Sequence, residues 1–289
     1  MKLKVENLTK YYDEKNKTGV ENINFEVSNG EIYGLFGPKG SGKTTIIKCI
    51  VGLLKPTKGK VKIDGNETNF KSYKNVAYVP ETFSYYNNIS VLEILNVTKK
   101  IYDVNEKYLS NLIKISNLKL QKKFKDLSRE EKSILSIVLS LSYEPDLLII
   151  DDINIETNNI AKEFFYEILS DMKQKGKTIL LATSCMSHVQ AICDKIGIIH
   201  KGHFLVEDNV ENFSQNLIKK IIIYGVKSNE FPLNGFKRTG SNVEITIKES
   251  LLKDTLSEII KLRYRDLEVL TPKAEEILEH FLGGNENVI

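Results

Sequence analysis

The stretch that most constrains this chain lies between residues 37 and 45. It follows an apolar run at 32–36 and precedes a helical pattern with apolar residues on one side. Its residues are Gly37, Pro38, Lys39, Gly40, Ser41, Gly42, Lys43, Thr44 and Thr45. A strand, a glycine-rich loop and a helix in this order match the pattern G-x-x-x-x-G-K-[ST], which predicts a loop that holds phosphate groups.

Each residue type in this loop has a physical role. Glycines let backbone N–H groups turn inward, and these donors hold phosphate oxygens together with the positive N-terminus of the helix. Lys43 is expected to reach the β- and γ-phosphates, and the Thr44 hydroxyl to ligate Mg²⁺. We therefore predict that residues 37–45 bind a nucleoside triphosphate.

Length and charge are those of an ordinary globular protein. The chain has 289 residues, and its 41 basic and 38 acidic side chains leave a net charge of +3. This near balance gives no reason to predict a nucleic-acid partner. The three cysteines, Cys49, Cys185 and Cys193, lack the spacing of a metal site, which favours a reducing, cytosolic compartment.

Membrane-directing segments are not evident in the sequence. No basic-then-apolar leader opens it, and no run of about 18 apolar residues occurs. We expect a protein that neither crosses a membrane nor is exported by a signal peptide, but that can dock onto a membrane protein.

The pattern of apolar residues predicts an α/β fold. Apolar alternation or continuous apolar runs predict strands at 3–8, 20–27, 32–36, 60–63, 76–79, 147–150, 178–182, 196–199 and 204–206. Helical periodicity predicts helices at 90–102, 105–115, 128–141, 160–175 and 187–193. Past about residue 210, a small α+β unit is predicted, with strands at 218–226, 243–247 and 266–270 and helices at 251–262 and 273–282.

Asp151 is the predicted carboxylate ligand of the magnesium ion. The continuous apolar run at 147–150 is typical of a buried parallel strand, and it ends in Asp151-Asp152. A phosphate loop needs such a carboxylate for its metal, and the end of a buried strand is a fitting place for it.

The order of these elements resembles that of the ATP-binding cassette (ABC) transporter ATPases. The spacing from Ser128, which opens a helix, to Asp151 matches that family without insertion. Tyr12, 25 positions before Gly37, stands where the family has an aromatic residue that stacks on adenine. The end of the cassette is similar in Cys193-Asp194-Lys195-Ile196 and in Ile199-His200-Lys201-Gly202.

The resemblance implies a P-loop NTPase core with an antiparallel β subdomain and a helical insertion at about 84–143. This cassette covers residues 1–208. Residues 209–289 are expected to form a small α+β C-terminal domain, similar to the one in the branch of the family that exports antibiotics and peptides. The sequences at 266–269 and 275–278 support that branch.

In this family two cassettes dimerise head to tail, and each Mg-ATP lies between the phosphate loop of one subunit and the signature helix of the other. Separate membrane subunits bind the pair, which implies a cytoplasmic protein located peripherally on the cytoplasmic face of the cell membrane. Phe83, Tyr85 and Tyr86 lie where the family has a groove for a short helix of the membrane subunit. The same three rings also fit simple packing within the helical insertion.

The signature segment departs from the family pattern, Ser-Gly-Gly-Gln. Here it reads Leu127, Ser128, Arg129, Glu130, Glu131 and Lys132. Ser128 and Glu130 are the residues expected to face the partner's ATP, but Glu130 replaces a glycine that lets backbone N–H groups approach the γ-phosphate. A carboxylate about 4 Å from a phosphate charge costs about 1 kcal/mol in water and about 4 kcal/mol at an effective dielectric constant of 20. Ser128-x-x-Glu131 is also a capping box, and we favour that interpretation.

Both predicted catalytic residues, Asp152 and Ser184, are substitutions as well. Asp152 stands at the catalytic-glutamate position but is one methylene shorter, and about 1 Å of misplacement can cost about 100-fold in rate. As alternatives, Asp152 is a second magnesium-shell ligand or caps the turn. Ser184 stands at the switch-histidine position, where it can donate one hydrogen bond to the γ-phosphate but brings no positive charge. His188, four residues on, is predicted to be a surface histidine.

Two further departures are milder. The loop that joins the subunits covers 153–158, with Asn158 in place of the family's aspartate. Glu81 follows Val79-Pro80 and stands where the family often has glutamine. Because glutamate also ligates magnesium, the predicted metal ligands are Thr44, Glu81 and Asp151.

These departures lie in the parts that act on the transition state, not in those that hold ATP. The first hypothesis is the ATP-binding subunit of an ABC exporter with slow ATP hydrolysis. The second is a cassette that binds ATP without hydrolysing it and regulates an active partner cassette. A third, a non-transport ABC protein that acts on ribosomes or DNA, is disfavoured because such proteins carry two cassettes or long coiled coils.

Overall fold

The computed structural model describes residues 1–13, 15–153, 155, 158–215, 217–226, 236–272 and 276–278. The strands in this part of the chain are β1 (Leu3–Asp13), β2 (Thr18–Val27), β3 (Ile32–Phe36), β4 (Lys58–Ile63), β5 (Asn66–Glu67), β6 (Val76–Val79), β7 (Leu147–Asp151), β8 (Thr178–Thr183), β9 (Lys195–His200), β10 (His203–Asn209), β11 (Ile218–Tyr224), β12 (Lys237–Thr239), β13 (Asn242–Lys248) and β14 (Asp266–Leu270).

Helices alternate with these strands. The α-helices are α1 (Lys43–Ile50), α2 (Val91–Ile101), α3 (Glu106–Ser116), α4 (Arg129–Leu141), α5 (Asn159–Gln174), α6 (Met186–Ile192), α7 (Val210–Gln215) and α8 (Leu252–Ile259). Short 3₁₀ helices occupy Phe70–Tyr73, Phe124–Asp126 and Glu249–Leu251. Within the described ranges, none of the helices combines the length and the apolar character that crossing a bilayer needs.

A six-stranded sheet in the order β10-β9-β3-β8-β7-β6 forms the middle of the molecule. Its neighbouring strands run parallel except at the β9–β10 hairpin. Every residue of β3, β7 and β8 is buried, because one apolar cluster lies on each face of the sheet. Burial on both faces is why these strands are continuous apolar runs in the sequence.

The carboxyl ends of β3, β7 and β8 meet at one edge of this sheet. Phe36 is level with Thr183, and Asp151 is level with Ala182. The residues that follow these strands therefore leave the sheet side by side. This is the edge at which parallel α/β sheets bind ligands.

The antiparallel subdomain predicted for the cassette is present. Its four strands are ordered β2-β1-β4-β5. The ring of Phe25 stacks on Tyr33 of the central sheet with a centroid distance of 5.1 Å, so the two sheets share one apolar cluster.

In the helical insertion between β6 and β7, each helix begins after a capping residue that the sequence indicates. Ser90 caps α2 and forms a capping box with Glu93, and the Asn105 side chain accepts a hydrogen bond from the N–H of Tyr108 at the start of α3. Ser128 caps α4. The side chains that these helices bury join the larger of the two apolar clusters.

The described residues from Val210 onward form the C-terminal unit. Its antiparallel sheet has the order β12-β13-β11-β14 and its own apolar core. Five further apolar side chains of this unit belong to the cluster shared with the helical insertion, namely Val210, Phe213, Leu217, Ile277 and Leu278. Of the helix predicted at 273–282, residues 276–278 are helical and the others lie outside the described residues. The domain boundary at 208 stays a prediction.

Candidate nucleotide-binding site

The loop from Gly37 to Gly42 leaves β3 and enters α1 at the sheet edge described above. Gly42 is the N-cap of α1, with φ at +111°, a left-handed conformation that favours glycine. A Cβ atom there would lie 2.5 Å from Val20 Cγ1, and one at Gly37 would lie 2.3 Å from the backbone oxygen of Ile199. Close packing thus requires glycine at both positions and holds the loop tightly against β9 and β2.

Lys43 lies beneath this loop and is 4% exposed. Its Nζ donates to the backbone oxygens of Gly37 at 2.7 Å and Pro38 at 3.1 Å, and it lies 3.5 Å from Asp152 Oδ2. Burial lowers the pKa of Lys43, and the nearby Asp152 carboxylate opposes that change. A phosphate oxygen would offer the same ammonium group a stronger, charge-assisted bond than two neutral carbonyls.

Thr44 and Asp151 meet across the site, from α1 and from the end of β7. Thr44 Oγ1 donates to Asp151 Oδ1 at 3.1 Å. The other carboxylate oxygen of Asp151, Oδ2, is buried and has no hydrogen-bond partner among the described residues. An unsatisfied buried carboxylate oxygen beside a hydroxyl is the kind of hard oxygen donor that Mg²⁺ takes.

The residues present therefore fit the Mg²⁺ that accompanies ATP. Thr44 and Asp151 would hold it, and the charge of Glu81 acts on the pKa of both Lys43 and Asp151. In the described part of the chain, no group of three or more His, Cys, Asp or Glu side chains forms a metal site by itself. This agrees with an ion whose remaining ligands are phosphate oxygens and water, and which neutralises phosphate charge when bound.

Burial raises the pKa of the Asp151 carboxyl from 3.8 to about 6. The hydrogen bond from Thr44 and the charge of Lys43 oppose this rise, whereas the carboxylates of Glu81 and Asp152 add to it. Negative charge is thus concentrated at the end of β7, and a cation is the missing component that would relieve it.

Tyr12, the predicted adenine-stacking residue, is at the end of β1 and lies beside the start of α1. Its ring is 60% exposed, and its hydroxyl lies 3.2 Å from Thr45 Oγ1. A large exposed aromatic surface next to the phosphate loop suits a base that stacks on it.

Asp152 and Ser184, the two predicted catalytic residues, are hydrogen-bonded to each other. Asp152 Oδ1 accepts from both the N–H and the Oγ of Ser184, each at 3.1 Å. Asp152 has φ at +40° and also pairs with Lys43 through Oδ2. Of the alternatives for Asp152, turn capping matches these contacts, because the carboxylate holds the N–H that follows β8.

The signature helix has the capping box that its sequence predicts. Ser128 Oγ accepts from the N–H of Glu131 at 3.1 Å, and Glu131 Oε2 accepts from the N–H of Ser128 at 2.7 Å. Ser128 Oγ also donates to Glu130 Oε2 at 2.9 Å. Lys122 pairs with Glu131 at 2.6 Å. The Ser128 hydroxyl and the N–H groups of Ser128 and Glu131 are thus engaged within the chain.

The prediction that His188 is a surface residue is wrong. His188 is 2% exposed, and its ring packs against Phe165 and Tyr166, with centroid distances of 5.8 and 6.0 Å. Its Nδ1 lies 3.5 Å from Thr183 Oγ1. α6 turns His188 toward α5. The spacing of four residues from Ser184, on which the prediction relied, does not reveal this packing.

Asn158 caps α5, since its side chain accepts from the N–H groups of Ile160 at 2.9 Å and Ala161 at 3.2 Å. Asparagine thus performs at this position the capping that aspartate also performs. Residues 154, 156 and 157 of the predicted subunit-joining loop lie outside the described residues.

A cavity of about 1180 Å³, here called the docking cavity, includes Lys39, Glu81, Asp152 and Ser184 of this site in its lining. Its wall includes the aromatic rings of Phe83 and Tyr85, which are half-buried and pack against Phe124. The rings thus pack within the helical insertion and also line a cavity, and their contact with a membrane subunit stays a prediction. Tyr86 is 81% exposed.

Sequence reasoning missed several residues that line the docking cavity. Arg129 and Lys132 bring positive charge to it, and Thr271 and Pro272 come from the C-terminal unit. The spacing of Arg129 and Lys132, three residues apart on α4, could have indicated a shared helix face. Nothing in the sequence indicates that residues 271–272 reach the cassette.

The fold and the loop define a P-loop nucleotide-binding protein, and comparisons with known proteins place it more narrowly. The family model described as ABC transporter matches residues 20–154. The lantibiotic transport ATP-binding protein SrtF of Streptococcus pyogenes is 30% identical over 218 residues, 74% of this chain and 93% of SrtF. The bacitracin transport ATP-binding protein BcrA of Enterococcus faecalis is 34% identical over 217 residues, 72% of this chain and 69% of BcrA.

A solved structure of an ATP-binding subunit of an ABC transporter is similar as well. It is 28% identical, has a TM-score of 0.66, and the match covers 73% of this chain and 91% of that chain. The chain belongs to the family of ABC transporter ATP-binding proteins. It is an ATP-binding subunit of an ABC transporter, and the expectations of a P-loop core, an antiparallel subdomain and a helical insertion are confirmed.

Proposed function

We propose that this subunit serves an exporter of antibiotic-like or peptide substrates, binds Mg-ATP at the interface of two cassettes, and hydrolyses it slowly. The names of SrtF and BcrA, which refer to lantibiotic and bacitracin transport, support the substrate class. The contacts of Lys43, Thr44 and Asp151 support ATP binding.

The observation that carries the proposal is the paired arrangement of Lys43 and Asp151. One buried cation and one buried, partly unsatisfied carboxylate lie on either side of the glycine loop. Together they match the triphosphate and its magnesium ion in charge and in donor type. The proposed ATP-binding residues are Tyr12, Gly37, Pro38, Lys39, Gly40, Ser41, Gly42, Lys43, Thr44 and Thr45, with Thr44, Glu81 and Asp151 for the metal.

Slow hydrolysis follows from what Asp152 contacts. A general base must reach the attacking water, but both oxygens of Asp152 already interact with Ser184 or Lys43. Ser184, in turn, donates its hydroxyl proton to Asp152, which leaves the γ-phosphate without that donor. The two proposed catalytic residues thus occupy each other's hydrogen-bonding groups. We expect this arrangement to last until bound phosphate draws Lys43 away from Asp152.

The dimer interface would combine the phosphate loop of one cassette with Ser128 and Glu130 of another. The capping box already satisfies donors at the start of α4, and Glu130 adds negative charge there. Such a helix end attracts phosphate less than a glycine-rich one does. We infer that ATP-driven dimerisation is weak and depends on the partner, which is a second copy or a different cassette.

A second candidate is a cassette that binds ATP without hydrolysing it and regulates an active partner. The contacts of Asp152 and the capping box at Ser128 favour it as well. It differs from the first candidate only in the rate of turnover, so one measurement separates the two.

Membrane subunits are the proposed partners, with the cassette located on the cytoplasmic face of the cell membrane. The docking cavity, with the rings of Phe83 and Tyr85, suits a short amphipathic helix from such a subunit. We also propose that residues 209–289 act as a separate C-terminal domain beside the cassette at 1–208.

The deciding experiment is phosphate release by the purified protein with Mg-ATP, alone and with its membrane subunit. The first candidate predicts slow release that exceeds that of Lys43→Ala, above all with the membrane subunit present. Release equal to that of Lys43→Ala in both conditions would exclude it and leave the non-hydrolysing cassette. Failure to bind ATP would exclude both.

A further inference from the structure

The C-terminal unit places a buried lysine next to the cassette. Lys219 lies on β11 at the alternation that includes Ile221 and Ile223, whose side chains fill the core of the unit. The side chain of Lys219 is 11% exposed. Because a buried ammonium group is costly unless it is paired, its partners indicate what the residue does.

Those partners connect the C-terminal unit to helix α6. Lys219 Nζ donates to Thr271 Oγ1 at 3.0 Å and lies 3.6 Å from Glu249 Oε1. The other carboxylate oxygen, Glu249 Oε2, accepts a hydrogen bond from Gln190 Nε2 at 3.1 Å. A continuous set of polar contacts therefore runs from Gln190 on α6, through Glu249 and Lys219, to Thr271.

One end of this set of contacts, Thr271, lines the docking cavity, and the other end, Gln190, lies on α6, whose first residues line it. Thr271 and the buried Pro272 line one part of its wall. Residues 184–188, which include the start of α6, line another part. Since Ser184 is hydrogen-bonded to Asp152 and Asp152 pairs with Lys43, a displacement of α6 acts on the group beside the phosphate loop.

We propose that Lys219 is a positioning residue that fixes the turn at Thr271 and Pro272 against the start of α6. Through it, the C-terminal unit forms one wall of the docking cavity and acts on the residues of the proposed ATP site that line the same cavity, among them Asp152 and Ser184. This inference rests on the proposed function, because it takes ATP as the ligand of the phosphate loop. Packed side chains and polar networks of this kind carry coupling between sites.

Cys185 provides a native reporter for the experiment. It lines the docking cavity and is partly exposed, whereas Cys49 and Cys193 are buried. The full-length protein is treated with an aromatic disulfide reagent that releases a coloured thiolate, with and without Mg-ATP. Cys185→Ser gives the background rate, and Lys43→Ala shows which part of any change needs bound ATP.

Lys219→Met is expected to raise the labelling rate of Cys185 by about tenfold without nucleotide, since losing a hydrogen bond from a charged group shifts a local opening equilibrium by about that factor. Lys220→Met is the matched control. Lys220 is the next residue on β11 and pairs with Glu244 at 2.8 Å. In Lys220→Met, Cys185 should be labelled at the wild-type rate. In Lys219→Arg, the labelling rate should remain close to that of the wild type.

The coupling has its own readout. In the wild-type protein, Mg-ATP is expected to change the labelling rate of Cys185, and Lys219→Met is expected to lose that change while still binding ATP. Equal labelling of Lys219→Met and Lys220→Met overturns the positioning role. An ATP-bound wild-type protein whose labelling does not change overturns the coupling.

Two further controls keep the result decisive. If circular dichroism shows that Lys219→Met is unfolded, Thr271→Val takes its place. This variant removes the Lys219–Thr271 hydrogen bond and keeps the Lys219–Glu249 pair. A wild-type labelling rate of Cys185 in Thr271→Val overturns the proposal. If the wild-type chain binds no ATP, the proposed function fails. The comparison of Lys219→Met with Lys220→Met without nucleotide then still decides the positioning role.

Discussion

The phosphate loop and the signature helix both present a helix N-terminus, but the two differ in whether a side chain of the same chain caps it. At α1 the cap is Gly42, which makes no side-chain hydrogen bond, and a lysine and an unsatisfied carboxylate lie alongside. At α4 the cap is Ser128, and a reciprocal box with Glu131 satisfies the N–H groups of these two residues. One helix end is prepared for an external anion and the other supplies its own.

The comparison teaches that binding and turnover depend on different residues of this site. The residues proposed to hold ATP and its metal ion, Lys43, Thr44 and Asp151, lie together at the site. The residues proposed to act on the transition state, Asp152 and Ser184, contact each other. Loss of transition-state contacts lowers the rate without abolishing binding. Substitutions of the binding residues and of the turnover residues should therefore have separable effects on ATP affinity and on the rate of hydrolysis.

The largest expected effect is on ATP affinity. Lys43→Ala removes the buried ammonium group and should weaken ATP binding by about 100-fold, because charge-assisted hydrogen bonds to phosphate are worth roughly 1.5–3 kcal/mol each. Equilibrium binding of a fluorescent ATP analogue measures this change. Lys48→Ala, on the same helix, is the control and should bind normally. Similar affinities for the two variants would contradict the role of Lys43.

A smaller effect is expected on the rate of hydrolysis. Asp152→Glu lengthens the carboxylate by one methylene and should raise phosphate release by about 10-fold, since misplacement by about 1 Å can cost about 100-fold. Asp152→Asn removes the base, and its rate of phosphate release should fall to that of Lys43→Ala. A rate for Asp152→Glu no higher than wild type would show that Ser184, not the length of the carboxylate, limits turnover.

Glu130→Gly tests the signature side. Removing this carboxylate should tighten dimerisation in Mg-ATP by about 10-fold, because repulsion from phosphate costs about 1 kcal/mol in water and more at lower dielectric. Size-exclusion chromatography over a range of protein concentrations measures the dimer affinity. Glu131→Ala, which removes the side chain that completes the capping box, should lower stability without tightening the dimer. An unchanged dimer affinity for Glu130→Gly would refute the repulsion.

The smallest effect is on stability and depends on pH. The pKa of Asp151 is raised to about 6 in the folded chain, so the unfavourable burial of its charge is absent below about pH 4 and complete above about pH 6. Without magnesium, Asp151→Asn should be more stable than wild type by roughly 1–3 kcal/mol at neutral pH, and this difference should vanish toward pH 4. Urea unfolding at several pH values measures it.

Asp146 supplies a control of opposite sign. Its pKa is lowered, first by the hydrogen bond from Lys177, so its contribution is favourable above its ordinary pKa and is lost as the pH falls. Asp146→Asn should therefore be less stable than wild type at neutral pH. Equal pH trends for the two variants would show that the burial of Asp151 does not govern the effect.

Much of this site follows from local sequence, because its elements are contiguous. The loop at 37–45, the strand before Asp151 and the caps at Ser90, Asn105 and Ser128 are encoded within a few residues each. Local patterns are sufficient where a backbone conformation or a first-turn hydrogen bond decides the structure.

The remainder depends on long-range packing and could not be predicted. His188 is buried because α5 lies over α6, and Asp152 meets Ser184 because β7 and β8 end together. The contact between Thr271 and Lys219 joins residues that are 52 positions apart. Such pairs are set by the order of strands and helices, which a single sequence does not give directly.

The apolar cluster that contains Ile277 and Leu278 has a consequence for how the chain folds. These side chains and Phe213 share one buried cluster with the helical insertion, although they belong to the C-terminal unit. A chain cut at residue 208 would expose the apolar surface that they cover. We therefore expect the proposed C-terminal domain at 209–289 to unfold together with the cassette, in one cooperative transition of the intact chain.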